Sequence, residues 1–415
     1  LRLVLLWFGS WKNGVSTYIP GWVKRDVVRF PRMQPRPGEN VEVLTPLSEA
    51  NCRADARAFA AFLRHLKEVD GTRHTVLMVQ VENEVGLLGA PRDRSPQAEE
   101  AFAQAVPGEL LRYFSDHKND LIPEFKKYWE AAGVRSAGTW TEVFGAGAEE
   151  AFMAWHMARY LGKIAAAGKA EYPLPLFANA WLVQHEGQKP GQYPSGGPVS
   201  KVLDIWRAAA PEIDFLAPDI YLPDFKAICA SYTRSGNPLF IPESRPEPER
   251  AFYALGQHEA LGFCPFAIDD LPADHALKDT YRVLAELLPV IIENQGADRM
   301  RGLLQYQEEK EEVELAGYRL EVSYRKEAGS KGYGLVIATG PDEFLVAGSG
   351  VGIHFSARTT GPRHTRILSI DEGRFQDGRW VPGRRMNGDE SIGGWRLQLP
   401  GGPPTIQRIR LYRHD

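Results

Sequence analysis

Cysteine is nearly absent from this sequence of 415 residues: Cys52, Cys229 and Cys264 stand alone, and no two have CxxC spacing. That excludes a disulfide scaffold and a thiolate zinc site, and it leaves the compartment open, because a large core needs no disulfides. The ten histidines form no H-x-H or H-E-x-x-H pattern; His185-Glu186 and His258-Glu259 both lack the second histidine of a zinc protease. No G-x-S-x-G elbow supports serine chemistry, and no G-x-G-x-x-G run lies between a strand and a helix. Nothing in these patterns asks for a metal or an organic cofactor. Positive charge is not in excess either: 49 Lys and Arg face 53 Asp and Glu, a formal net charge of -4, so nucleic acid is not an expected partner. No apolar run reaches the roughly 18 residues of a membrane span, and no N-x-[ST] acceptor occurs. An initiator Met is missing as well. Leu1 to Phe8 already reads as a buried strand, too short and too weakly flanked for a signal peptide.

What is present is a globular composition, 43% hydrophobic and 25% charged, in a chain long enough for two domains. Strand-like runs recur at Leu3–Phe8, Thr75–Val81, Leu174–Ala178, Ile213–Ala217, Leu239–Pro242 and Gly262–Ile268. Their continuous apolar character suits parallel strands buried on both faces. Helical stripes lie between them. Phe59, Phe62, Leu66 and Val69 stop at Gly71; Met153, Met157, Leu161 and Ile164 end near Gly168; Leu277, Tyr281, Leu284 and Leu288 stop against Pro289. Alternating strands and helices predict a TIM (β/α)8 barrel over residues 1–290. Six strands leave it two short, and the expected place for the missing pair, in about 80–120 further residues, is upstream of residue 1.

From residue 297 to 415 the chain is rich in glycine and strand formers, with runs at Leu315–Tyr324, Gly334–Ala338, Glu343–Ala347, Gly352–Ser356, Arg366–Ile370 and Ile406–Tyr412. An antiparallel β-sandwich-like domain is expected there. Gly348-Ser349-Gly350 reads as a tight turn, and Glu308-Glu309-Lys310-Glu311-Glu312 as a solvated linker or loop.

Two runs carry chemistry: Val79-Gln80-Val81-Glu82-Asn83-Glu84-Val85-Gly86 and Pro238-Leu239-Phe240-Ile241-Pro242-Glu243-Ser244-Arg245. Each is an apolar strand ending on an acidic side chain. Barrel strand ends converge on one face, and two carboxylates are the minimum apparatus for glycoside hydrolysis. Glu84 sits where the chain must turn, and Glu82 competes with it; sequence leaves the direction of the two side chains open. Asn83 can donate and accept at a sugar hydroxyl. Tyr221 could hydrogen-bond a nucleophilic Glu243, and Arg245 could orient that carboxylate. Asp219 reads equally as a sugar-binding or a structural carboxylate. Asn179 and Trp181 close another strand, and Trp181 is either a sugar platform or core. Trp11, with Lys12 and Asn13, is expected at the cleft.

The run Gln80-Val81-Glu82-Asn83-Glu84-Val85-Gly86 resembles the Q-V-E-N-E-Y-G signature of glycoside hydrolase family 35, the β-galactosidase-like group. The resemblance covers roughly residues 1–290. Trp7-Phe8-Gly9-Ser10-Trp11-Lys12-Asn13-Gly14 and Phe215-Leu216-Ala217-Pro218-Asp219-Ile220-Tyr221 match a subgroup with a C-terminal β domain of unassigned function. It implies a retaining glycosidase that acts on a terminal β-galactoside or a related β-linked pyranoside, with Glu84 as acid/base and Glu243 as nucleophile. The strands visible here would then be three to eight. Two departures stand out. Pro242-Glu243-Ser244 replaces the family's S/T-E pair followed by aromatics, and Gly9-Ser10-Trp11 replaces A-E-W, so a galactose-holding carboxylate is missing. The contrasting reading is a non-catalytic carbohydrate-binding protein on a relict barrel. Either way the partner is a carbohydrate; the oligomeric state is not legible.

Overall fold

The computed structural model describes residues 2–234, 236–325 and 331–415, so Leu1 of the opening run lies outside the described residues. Two compact units separate. One holds the chain up to Leu222 together with Arg234–Asn237, and the other holds Pro223–Thr233 and Pro238–Asp415.

The first unit is built on four parallel strands, β1 (Leu3–Lys12), β2 (Val76–Asn83), β3 (Leu176–Trp181) and β4 (Phe215–Ile220), paired in chain order. Every residue of β4, and all of β3 but Trp181, is buried. That is the reason these runs are apolar without alternation. Two long helices connect the strands: α1 (Glu49–Asp70), opened by the Ser48 side chain accepting from the Asn51 N–H, and α2 (Ala148–Glu171). Phe59, Leu63 and Leu66 form the inner stripe of α1, whereas Val69, expected in it, is half exposed. The expected stripe of α2 is realised, with Met153, Met157, Leu161 and Ile164 all at 0% exposure.

In the second unit β5 (Phe240–Ser244) and β6 (Gly262–Pro265) are parallel, with α3 (Pro248–His258) between them and α4 (Leu277–Asn294) after. Antiparallel strands follow: β7 (Met300–Leu304), β8 (Lys310–Leu315), β9 (Tyr318–Tyr324), β10 (Tyr333–Gly340), β11 (Glu343–Ser349), β12 (Val351–Ala357), β13 (His364–Gln376), β14 (Arg379–Arg385), β15 (Leu397–Gln398) and β16 (Thr405–His414). They form sheets ordered β14-β13-β16-β11-β10-β7 and β15-β12-β9-β8. Leu303, Val336, Phe344, Val346 and Ile409 of one sheet share a core with Leu320, Val322, Ile353 and Phe355 of the other, the arrangement of a sandwich. The class expected from sequence is thus observed: parallel strands of an incomplete (β/α)8 barrel, then an antiparallel sandwich-like domain.

Two local expectations fail. The charged run at Glu308–Glu312 is not all loop, since Lys310–Leu315 is β8, paired along its length with β9. It lies at a sheet edge, and its outward positions Lys310, Glu312 and Glu314 are exposed while Leu315 is buried. Charge is what keeps such an edge from pairing with other chains. The helix expected to stop against Pro289 continues to Asn294, and Leu287, Ile291 and Asn294 are buried on its inner side. Burial of that face outweighs the hydrogen bond that the proline forfeits.

Close packing of α1 on α2 passes through Gly168, where an added Cβ would stand 2.7 Å from Cδ1 of the fully buried Phe59 ring. Overpacking of that kind costs about 1–3 kcal/mol, against a helix-propensity gain of about 1 kcal/mol. Gly168→Ala should therefore lower stability in urea unfolding, and a stabilised variant would show that the ring swings aside freely.

Candidate active site

The end of β2 does not continue as a strand. Glu82 and Glu84 both adopt left-handed backbone angles, with φ of 62° and 46°, a conformation that costs a non-glycine residue about 1–3 kcal/mol. This bend separates two side chains that an extended segment would place on one face.

Glu82 turns inward. Its Oε2 accepts the backbone N–H groups of Gly9 at 3.0 Å and Trp11 at 2.9 Å, and its Oε1 accepts that of Ser10 at 2.9 Å. Beside it on α1 lies Asp55, which accepts from Trp7 Nε1 at 3.0 Å and from Ser10 Oγ at 2.7 Å. The Tyr160 hydroxyl stands 2.9 Å from Ser10 Oγ. Burial, and then the charge of Asp55, push Glu82 well above the usual carboxylate range, with the N–H groups of Ser10 and Trp11 opposing. A protonated Glu82 fits all its neighbours: it gives its O–H to Asp55 and its lone pairs to the three N–H groups. Gly9 leaves the room for this. A Cβ there would lie 2.6 Å from Asp55 Oδ1 and 2.7 Å from Glu82 Oε1.

Glu84 points elsewhere. Its Oε2 accepts from Asn13 Nδ2 at 2.5 Å. Lys12 Nζ contacts Asn13 Oδ1, which fixes the amide with its NH2 towards Glu84. The Glu84 N–H donates to Asn179 Oδ1 on β3 at 2.9 Å, and Asn179 Nδ2 donates to Asp219 Oδ2 on β4 at 2.6 Å. Residues at the ends of β1, β2, β3 and β4 are thus linked through Glu84, its carboxylate to Asn13 and its backbone N–H to Asn179 and on to Asp219.

Among the other residues singled out by sequence, Asn83 is buried, and its carbonyl accepts the Asn13 N–H at 3.2 Å. Trp181 is half buried at the end of β3, and Tyr221 is exposed just past β4. Trp11, expected at the cleft, has 0% exposure and packs edge-on against Tyr160 with ring centroids 4.7 Å apart. In the second unit Glu243 is half buried near the end of β5, and Arg245 is exposed. Ser244 Oγ accepts from Arg250 Nη1 at 3.2 Å, and Arg250 pairs with Glu247 at 2.7 Å.

Asp55 and Tyr160 went unread in the sequence. The signal was there for Asp55: Asn51, Asp55, Phe59 and Leu63 recur every four residues along the buried side of α1, and an acid on such a stripe needs a partner. Among the described residues, no group of three or more His, Cys, Asp or Glu is placed to hold a metal ion, and no helix is long and apolar enough to cross a membrane.

A family model described as "Domain of unknown function (DUF5597)" matches residues 277–398. No curated protein matches the chain. Similar solved structures include a β-galactosidase from the psychrophilic Marinomonas ef1, at 10% identity and a TM-score of 0.34 over 60% of this chain and 39% of that one. A β-galactosidase from Bacillus circulans sp. alkalophilus is similar at 14% identity and a TM-score of 0.33, over 57% and 34%. The catalytic domain of a β-amylase from Paenibacillus polymyxa is similar at 12% identity and a TM-score of 0.45, over 69% and 82%. The chain therefore spans well under half the length of both β-galactosidases.

The raised Glu82 has a consequence for stability. An acid that holds its proton more tightly folded than unfolded contributes fully below its unfolded value, about 4.3, and loses that contribution as pH rises through the folded value. The stability of the wild type relative to Glu82→Gln should therefore fall as pH is raised from about 4 to 8 in urea titrations. A flat difference would show that Glu82 titrates alike in both states.

Proposed function

We propose that the protein is a retaining glycoside hydrolase acting on terminal β-galactosides or related β-linked pyranosides. Glu84 serves as the acid/base and Glu243 as the nucleophile. The observation that carries this reading is the Asn13–Glu84 contact within a polar network at the C-terminal ends of parallel strands, where barrel enzymes assemble their sites. Glu82 is a poor rival, because its oxygens are already engaged by three backbone N–H groups in the interior. The resemblance of Gln80–Gly86 to the family 35 signature points the same way.

In the first step Glu84 gives its proton to the glycosidic oxygen while Glu243 attacks the anomeric carbon. This expels the aglycone and leaves a covalent glycosyl ester. In the second step Glu84, now ionised, takes a proton from water as the water attacks that carbon and releases Glu243. Double displacement requires the two carboxyls about 5–5.5 Å apart. Asn83, Asn179, Asp219, Trp181 and Tyr221 are proposed to contact sugar. Trp11 would then act through packing, since its ring is buried. The serine in place of the family's strand-three carboxylate is bonded to Asp55, so the sugar preference is proposed to differ from strict galactose selection. The division into a catalytic part at 1–290 and a β domain at 297–415 belongs to the same proposal.

A panel of aryl β-galactosides, β-xylosides and α-L-arabinopyranosides tests this reading. With any substrate turned over, Glu84→Gln should lower kcat by about 10²–10⁴-fold, most for poor leaving groups, and Glu243→Gln should abolish turnover. Anomeric-proton NMR should show the retained anomer first. Inverted product appearing first would refute double displacement. Binding of the same sugars without turnover would favour the relict-barrel reading.

A further inference from the structure

Strand β1 is longer than the strand it pairs with. Trp7 pairs with Val81 and the next pair is Lys12 with Asn83, so Phe8–Trp11 have only Glu82 opposite them. Such a bulge leaves backbone N–H groups without ladder acceptors. Ser10 and Trp11 are at 1% and 0% exposure, so water cannot take the place of the lost partners, and unpaired N–H groups there would be costly. Three of the bulge's four donors, those of Gly9, Ser10 and Trp11, are accepted by the Glu82 carboxyl. A side chain here does the work of a missing stretch of strand.

The bulge sets where β1 ends. Past it the chain delivers Lys12 and Asn13 to the end of β2, the Asn13 N–H reaches the Asn83 carbonyl, and its amide reaches the Glu84 carboxylate. A hydrogen bond to the charged form of a carboxyl favours that form. The position of Asn13 therefore acts on the protonation of Glu84, and that position depends on the bulge.

We propose that Glu82 is a positioning residue for Glu84: by clasping the β1 bulge it places Asn13 against the Glu84 carboxylate and so sets the proton affinity of that group. Asp55 is part of the device, because it accepts from Trp7 Nε1 and Ser10 Oγ and so holds the start and middle of the bulge against Glu82. The meaning of the proposal for catalysis rests on the reading of Glu84 as acid/base; the coupling itself does not.

The test is a ¹³C-carboxyl NMR titration of Glu84 in the full chain, with its resonance assigned by loss in Glu84→Gln. It needs no turnover, so absence of glycosidase activity would count against the proposed function and not against this coupling. Asn13→Ala should move the Glu84 midpoint upward. Glu82→Gln, whose NH2 faces backbone donors, should move it in the same direction, and the double variant should move it no further than Asn13→Ala alone. A folded Glu82→Gln protein with the wild-type midpoint, or a double variant showing the sum of both shifts, would overturn the proposal. Should Glu82→Gln fail to fold, Gly9→Ala displaces the same carboxyl with a methyl group. The upward shift is expected there too, and a folded Gly9→Ala protein with an unmoved midpoint would refute it. If wild-type activity is found, the basic limb of the kcat/KM profile should follow the NMR midpoint in each variant.

Discussion

Three backbone N–H groups on one buried carboxyl hold this site together. Were Glu82 an apolar residue, Ser10 and Trp11 would present donors to a dry interior, each costing about 1–3 kcal/mol, and the half-buried Gly9 N–H would lose its acceptor too. The bulge they form would then give way to a regular ladder. A one-residue change of register reverses every side chain along a strand, so Asn13 could not stay on Glu84. The acid is tolerated in the interior because the three N–H groups satisfy its oxygens, and the neighbouring Asp55 in turn is supplied by Trp7 and Ser10. Each of these groups is buried because another satisfies it.

Much of the fold was legible. All six parallel strands fall within a few residues of the runs expected from sequence: β3 and β4 are buried almost from end to end, and the apolar run of β1 marks a strand although Leu3 and Leu6 are exposed. The sandwich was legible in class and less so in detail. The strands β7 and β14 escaped notice: Met300-Arg301-Gly302-Leu303-Leu304 carries an arginine and a glycine, and Arg379–Arg385 is mostly exposed and arginine-rich. The charged β8 was missed for the same reason. In β8 and β14 the exposed residues report solvent more than backbone, whereas β7 is largely buried and only its arginine and glycine interrupt the apolar run. Pro289 misled in the opposite sense: a local rule yields when a helix has an apolar face still to bury.

The contacts around the candidate site were legible only in part. Acidic residues closing apolar strands were visible as a pattern, and Glu84 and Glu243 were picked from it. The direction of Glu82 was not visible, because it depends on a left-handed turn that glycine would signal and glutamate does not. Trp11 lies near a strand end, where a cleft is expected, yet the bulge folds its ring back onto Tyr160. Asp55 and Tyr160 come from helices more than 40 and 140 residues further on. Contacts of that range leave only the trace of a polar residue on a buried stripe.

The cost of this arrangement is itself informative. Asn13, Glu82 and Glu84 all take left-handed backbone angles, and Asn83 Oδ1, Gln80 Oε1 and Trp11 Nε1 are buried with no hydrogen-bond partner among the described residues. A chain tuned for stability alone would relieve these strains, with glycine at 82 or 84 or an apolar residue at 80. Glycine at 82 would remove the clasp, however, and glycine at 84 would remove the carboxylate that Asn13 holds. A strained backbone and unpaired polar atoms gathered at one set of strand ends are what a preorganised polar site requires. The rest of the first unit, with its continuous apolar strands and fully buried methionine stripe, supplies the stability that lets these ends depart from it.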